Sequence, residues 1–226
     1  MSANASRALD LLVASLVLAI SAPLLAVAAV LIKVESRGPV FYRQRRVGRD
    51  GVPFELIKLR TMVVGAEHSG AGLYIEDGDE RITRVGRLLR RFSLDELPNL
   101  INVLRGELAV VGPRPTVQVQ VDRYTPRQRR RLEVKPGITG WAQVNGRTSL
   151  SWPERIELDV WYVDNRSLVL DLRILARTAW LLVSGHGLYS SDLTQGWEED
   201  ATRPGAVVEP SPAGDPPPLS RDPGID

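Results

Sequence analysis

Residues 11–32 read LLVASLVLAISAPLLAVAAVLI, 22 consecutive positions without a charged side chain. As an α-helix this run is about 33 Å long, enough to cross a hydrocarbon core of roughly 30 Å. It is longer than the apolar run of a cleaved signal peptide, and Asp10 precedes it beside Arg7, although Ala26-Val27-Ala28 resembles a small-residue cleavage site. A retained membrane helix is the expectation. Lys33, Arg37, Arg43, Arg45, Arg46 and Arg49 follow at once, which places that flank in the cytoplasm. Pro23, with Ser21 close by, sits near the middle, where a proline removes a main-chain hydrogen bond and kinks a helix. A kinked span fits this pattern, and so does a re-entrant helix that turns back at the proline. The residues alone favour the plain span.

Outside this run the chain changes character twice. Its 226 residues suggest one domain plus appendages. The net charge of +2 and mean hydropathy of −0.10 describe no single part of it. Residues 198–226 carry seven acidic against two basic side chains and seven of the 16 prolines, a composition that cannot bury enough apolar surface to order itself. The remaining 197 residues hold 27 basic and 20 acidic side chains, a net +7. Three units are therefore expected: a membrane helix over residues 1–36, a basic domain over 37–190, and a disordered acidic, proline-rich tail over 191–226.

Within the middle unit, Val40–Arg46 and Phe54–Leu59 are β-prone runs joined through Asp50-Gly51, a hairpin signal. Met62–Asp79, with Gly70 and Gly72, reads as a mobile loop, and Asp77-Gly78-Asp79 as a solvated turn without the rest of a calcium-loop pattern. From Arg81 the periodicity is helical, with arginines at 81, 84, 87 and 91 interleaved with Val85, Leu88 and Leu89. Further helices are predicted over Glu96–Leu104, over Thr116–Val134 with a break near Pro126, from the Ser151-x-x-Glu154 capping box to Tyr162, and over Asp171–Val183 as an amphipathic stretch. The predicted class is α+β, mainly helical, with one small hairpin.

No cysteine is present, and His68 and His186 are the only histidines, which excludes thiol nucleophiles, disulfide frameworks and multi-histidine metal sites. The densest constellation runs from Arg90 to Pro115. Ser93 and Glu96 have capping-box spacing, and acids suit the first turn of a helix, so a purely structural role is open. With Asp95 as the cap instead, Pro98 would fall where an amide has no partner to lose. Two adjacent carboxylates among arginines can also hold Mg²⁺ together with a substrate phosphate, and a carboxylate can attack phosphorus. Without other candidates, Asp95 or Glu96 is the nucleophile the chain offers. The runs Arg43–Arg49 and Arg127–Arg131 suggest anionic partners; beside an apolar helix and with 6% aromatic residues, lipid headgroups fit better than nucleic acid.

Lys58-Leu59-Arg60-Thr61-Met62, Arg90-x-x-Ser93-Leu94-Asp95-Glu96-Leu97-Pro98-Asn99, Gly112-Pro113-Arg114-Pro115 and the stretch from Lys135 to Arg147 together resemble the bacterial sugar transferase family. These are monotopic polyprenyl-phosphate phosphoglycosyltransferases, and the chain resembles their small, minimal-core members over about residues 5–185. The resemblance implies a re-entrant N-terminal helix broken at Pro23, amphipathic helices at the interface, and residence on the cytoplasmic face of the inner membrane. It implies UDP-sugar and polyprenyl phosphate as substrates, Mg²⁺ as cofactor and no nucleic-acid partner. By position, Asp95 would be the nucleophile and Glu96, with Asp95, the metal ligand. Lys58, Arg90 and Arg114 match phosphate-holding positions, and Gln143, Asn145 and Arg147 lie in a loop on the nucleotide-sugar side. The family's Ser-Pro pair is Ala22-Pro23 here, with Ser21 one position earlier. Two other readings of the same residues are a basic membrane adaptor without catalysis and a Mg²⁺-dependent polyprenyl-diphosphate phosphatase.

Overall fold

The computed structural model describes residues 3–68, 78–146 and 150–184. The tail over 191–226, the glycines at 70 and 72, His186 and Arg147 lie outside the described residues. Ala3–Glu35 form one helix, α1, with Pro23 inside it. Between Ser6 and Glu35 the most apolar window has a mean hydropathy of 2.6, yet only 17% of it is buried. That exposure separates α1 from the core helix of a water-soluble body. One stripe, Asp10, Ala14, Ser21, Ala28 and Ile32, is buried against the rest of the chain. The opposite stripe leaves Leu12 (67% exposed), Leu16 (58%), Ile20 (72%), Val27 (56%) and Val34 (80%) uncovered.

Both ends of α1 are fastened to the body beside it. Near the start, the Arg7 guanidinium donates to the Val103 and Leu104 carbonyls at 2.7 and 2.8 Å, and the Asp10 carboxylate accepts from Val110 N at 2.8 Å. At the other end, the Glu35 carboxylate accepts from Arg84 N (2.7 Å) and Val85 N (2.9 Å), the first amides of α2 (Arg84–Arg91). A carboxylate there satisfies orphan donors and complements the helix dipole.

The expected hairpin forms between β1 (Phe41–Val47) and β2 (Pro53–Leu59), antiparallel, with Tyr42 opposite Lys58 and Arg46 opposite Phe54. Asp50 (φ 56°) and Gly51 (φ 78°) both take positive φ, as the turn requires. The expected helix over Glu96–Leu104 resolves differently. A 3₁₀ turn covers Leu94–Glu96, Pro98 caps the next helix, and α3 runs over Asn99–Arg105. Neither capping arrangement read from the sequence forms. Ser93 instead enters the left-handed region (φ 54°, ψ 24°) and its side chain caps nothing. Pro98 lacks an amide that could continue a helix from Ser93, so the chain re-starts at Asn99.

A second, parallel pair joins β3 (Ala109–Val111) to β4 (Gly137–Thr139). Gly112 N donates to Thr139 O (2.9 Å) and Gly137 N to Pro113 O (2.8 Å). A Cβ on Gly137 would lie 2.1 Å from Gly112 N, so the two strands meet at a distance that only glycine permits. The long helix expected over Thr116–Val134 divides into α4 (Gln118–Val121), α5 (Pro126–Arg129) and a 3₁₀ turn over Arg130–Glu133. A short α6 (Trp141–Val144) follows β4. Then α7 (Trp152–Asn165) opens on the capping box, Ser151 N donating to Glu154 Oε2 at 2.7 Å, and α8 spans Leu168–Ser184.

The main core gathers Ala14 of α1, Leu56 of β2, Val103 of α3, Trp141 of α6, Tyr162 of α7 and Ile174 of α8. A smaller cluster closes Ala28 and Ile32 over Leu59 and Leu89. The arginine run at 127–131, read as a lipid-facing stretch, is largely an internal brace. Arg127 pairs with Glu157 (2.7 Å) and Arg130 with Asp164 (2.6 Å), while Arg131 is buried against Asp159 (2.5 Å). All three acids sit on α7, with Glu157 and Asp164 two helical turns apart, a placement invisible in a local reading.

Candidate active site

Two segments converge on Glu96. The end of β2 brings Lys58, whose Nζ donates to Glu96 Oε1 at 2.8 Å; the loop after β3 brings Arg114, whose Nη2 donates to the same oxygen at 2.9 Å. The fully buried Asn102 fixes β2 against α3: its amide nitrogen donates to Glu55 O (2.7 Å) and its Oδ1 accepts from Ile57 N (3.1 Å). Lys58, one residue beyond Ile57, is therefore set by a polar lock inside an otherwise apolar interface. The parallel β3–β4 pair holds the Gly112–Pro115 loop in the same way.

The adjacent carboxyls are driven in opposite directions. Burial works to raise the Glu96 carboxyl, but Arg114 and Lys58 outweigh it and hold the group well below the usual carboxylate range. Asp95 is pushed up by burial and by the charge of Glu96, against the opposing pull of Lys58 and Arg90. Arg90, at the end of α2, is oriented by its Nε, which donates to Thr61 Oγ1 at 2.8 Å. One acid is thus locked as an anion, and its neighbour is a carboxylate whose charge is incompletely compensated.

Beside Glu96 opens a cavity whose polar wall is Arg46, Lys58, Glu96, Asn99 and Arg114. Leu56, Leu108 and Ile138 form its apolar floor. Asn99 is 4% exposed, and its Oδ1 meets no hydrogen-bond donor among the described residues. Arg46 and Asn99 are not singled out by the sequence: Arg46 merges into an arginine-rich strand and Asn99 into a helix start. Alternation along β1, which puts Gln44 and Arg46 on one face, is the available signal.

The remaining sequence candidates are one element away. Gln143 Nε2 donates to Ile138 O (2.9 Å), and Asn145 Nδ2 to Trp141 O (2.9 Å), so both serve the backbone around β4 and α6. Their carbonyl oxygens are buried without a donor among the described residues. They touch neither Asp95 nor Glu96. Arg147 lies outside the described residues.

A carboxylate pair set among Lys58, Arg90 and Arg114, beside a helix of membrane-crossing length, has the chemistry of a site for phosphorylated substrates at a bilayer. The family model for bacterial sugar transferases matches residues 1–185, and the chain belongs to that family. It is 44% identical over 186 residues to the uncharacterised sugar transferase EpsL of Bacillus subtilis (strain 168), spanning 82% of this chain and 91% of that one. The UDP-glucose:undecaprenyl-phosphate glucose-1-phosphate transferase of Caulobacter vibrioides is 43% identical over 191 residues, 81% of this chain and 71% of its own length. The UDP-N-acetylgalactosamine-undecaprenyl-phosphate N-acetylgalactosaminephosphotransferase of Aeromonas hydrophila is 41% identical over 187 residues, 80% of this chain and 44% of its length.

Proposed function

We propose that the protein transfers a sugar 1-phosphate from a UDP-sugar to polyprenyl phosphate of the undecaprenyl type, releasing UMP. This would be the first membrane step in assembling an exopolysaccharide, O-antigen or related glycan. The observation that carries the reading is the meeting of Lys58 and Arg114 on one oxygen of Glu96, directly beside Asp95. The relatives' activities agree with it.

In this mechanism an Asp95 oxygen attacks the β-phosphorus, an Asp–O–P bond forms, and the bond from that phosphorus to the bridging oxygen breaks. UMP leaves with the electron pair. An oxygen of polyprenyl phosphate then attacks the same phosphorus, yielding polyprenyl-diphosphate-sugar and restoring the Asp95 carboxylate. Attack by an anion on an anionic diphosphate needs charge neutralisation, which Lys58, Arg90 and Arg114 supply without reorganising. Gln143 and Asn145, whose carbonyl oxygens are buried without a donor among the described residues, would contribute to binding the nucleotide-sugar.

Asp95 and Glu96 would hold Mg²⁺. Two carboxylates next to a substrate diphosphate suit an ion that takes one or two protein ligands and completes its shell with substrate oxygens and water. Among the described residues no cluster of three or more His, Cys, Asp or Glu forms an all-protein cage. When bound, the ion would supply further neutralisation of the diphosphate and of departing UMP.

The membrane mode in this proposal is monotopic, on the cytoplasmic face. Arg7 and Glu35, at opposite ends of α1, both bind the same body, which supports a helix with both ends on one side of the bilayer. The uncovered stripe of α1 would face lipid, turning at Pro23. On α8, Leu170 and Ile174 enter the core while Leu172 (49% exposed), Trp180 (59%) and Val183 (90%) point outward, in the pattern of an interfacial helix. Single cysteines introduced as Ser2→Cys and Val52→Cys should be labelled by an impermeant reagent from the same, cytoplasmic side. Labelling from opposite sides would refute the re-entrant topology.

The reaction is tested with the detergent-solubilised protein, Mg²⁺, polyprenyl phosphate and a panel of UDP-sugars. One UDP-sugar should yield UMP and a lipid-linked sugar diphosphate. Release of inorganic phosphate from polyprenyl diphosphate without any UDP-sugar would indicate the phosphatase instead. Liposome binding with no turnover would indicate the adaptor.

A further inference from the structure

We propose that Arg46 is a phosphate-binding residue of the active-site cavity, with Gln44 as its positioning residue; the identity of its substrate rests on the transferase reading. Arg46 projects from β1 onto the cavity wall shared by Lys58, Glu96 and Arg114. Its Nε and Nη2 both donate to Gln44 Oε1, at 3.0 and 2.6 Å, and its Nη1 reaches Pro115 O only at 3.4 Å. A guanidinium has five N–H donors in a fixed fork. Two are used to aim it, one is weakly held, and the rest have no acceptor among the described residues.

The charge balance of the wall makes the same point. Three cations, Arg46, Lys58 and Arg114, face one carboxylate, and a single oxygen of Glu96 already serves Lys58 and Arg114. Among the described residues no carboxylate pairs with Arg46. Burial, and after it the neighbouring Arg114, push its guanidinium down to about 10 against the opposing pull of Tyr42 and Glu96. An unpaired, half-buried charge is costly unless a ligand completes it. Gln44 is a neutral acceptor, so it fixes direction without cancelling charge. A planar donor fork beside a second guanidinium, over an apolar floor, fits a phosphate dianion or a diphosphate, which accepts bidentate hydrogen bonds from arginine.

The test compares Arg46→Ala, Arg46→Lys and Gln44→Leu with the parent chain. The first readout needs no turnover: the rise in melting temperature with pyrophosphate in Mg²⁺-containing buffer. The parent should be stabilised, and Arg46→Ala should need about tenfold to a hundredfold more pyrophosphate for the same shift, the loss expected for a charge-assisted hydrogen bond. Arg46→Lys should recover part of that loss, and Gln44→Leu should fall between, since it keeps the charge and loosens its aim. If Arg46→Ala does not fold, Arg46→Lys and Gln44→Leu still give the ordering. No stabilisation of the parent, or equal pyrophosphate dependence in all four proteins, would overturn the proposal. The second readout separates the two phosphate sources in steady-state turnover. A raised KM for the UDP-sugar alone assigns Arg46 to the donor diphosphate, and a raised KM for polyprenyl phosphate alone assigns it to the acceptor. Unchanged values for both overturn it. A parent that binds pyrophosphate through Arg46 but releases no UMP would leave this inference standing and the transferase reading refuted.

Discussion

Asp95→Asn is expected to abolish UMP release, lowering the rate by about a thousandfold or more, as removal of the nucleophile does in other covalent mechanisms. The carboxamide has the same shape and keeps hydrogen-bonding capacity, but it cannot form the acyl-phosphate bond. Stability should move the other way. Burial and the charge of Glu96 both disfavour the Asp95 anion, so a neutral side chain relieves an unfavourable charge. The melting temperature of Asp95→Asn without ligands should equal or exceed that of the parent. Dead yet undiminished in stability is the signature of a residue kept for chemistry. A variant that is inactive because it unfolds early would not carry that meaning.

The second large effect concerns a residue far from the reacting atoms. Arg131 is 4% exposed and Asp159 3%, and their side chains meet at 2.5 Å. Arg131 also donates to Tyr124 OH (2.6 Å) and to the Arg114 main-chain carbonyl (2.9 Å). Arg131→Ala would leave a buried aspartate without its partner and release the backbone that carries Arg114. Breaking one side of a buried pair costs about 3–5 kcal/mol, read as a lowered denaturant midpoint in detergent. Replacing both partners together, Arg131→Met with Asp159→Leu, should cost clearly less than Arg131→Ala, because no isolated charge remains. Equal losses in the two variants would show that the pair is not where the stability resides.

How much of this molecule could be read in advance follows from the range of the interactions. The apolar run, the Asp50-Gly51 turn and the Ser151–Glu154 capping box are local, each encoded within a few residues, and each is legible. The Asp95-Glu96 pair and its basic neighbours stand out because charged residue types at that density point to phosphate chemistry. The β3–β4 pair escapes notice because its strands have three residues each and lie far apart in the chain. Ser93 misleads in the opposite sense, since its capping spacing is real but the left-handed backbone turns its side chain to no cap. Arginine runs are the hardest to divide by eye. Arg46 faces a cavity, Arg131 is a core brace, and Arg127 and Arg130 hold α7, yet each looks alike in the string of letters. Their roles depend on which acids the fold brings opposite, which is tertiary information.

The central claim is that Asp95 carries the phosphosugar between the two substrates. Its most direct test is the intact mass of the protein after incubation with the reactive UDP-sugar and Mg²⁺ in the absence of polyprenyl phosphate. The chain should gain the mass of one sugar phosphate, located to the peptide containing Asp95, with about one UMP released per protein. Release of UMP only when polyprenyl phosphate is present, with no added mass on Asp95, would show direct transfer and contradict the covalent account.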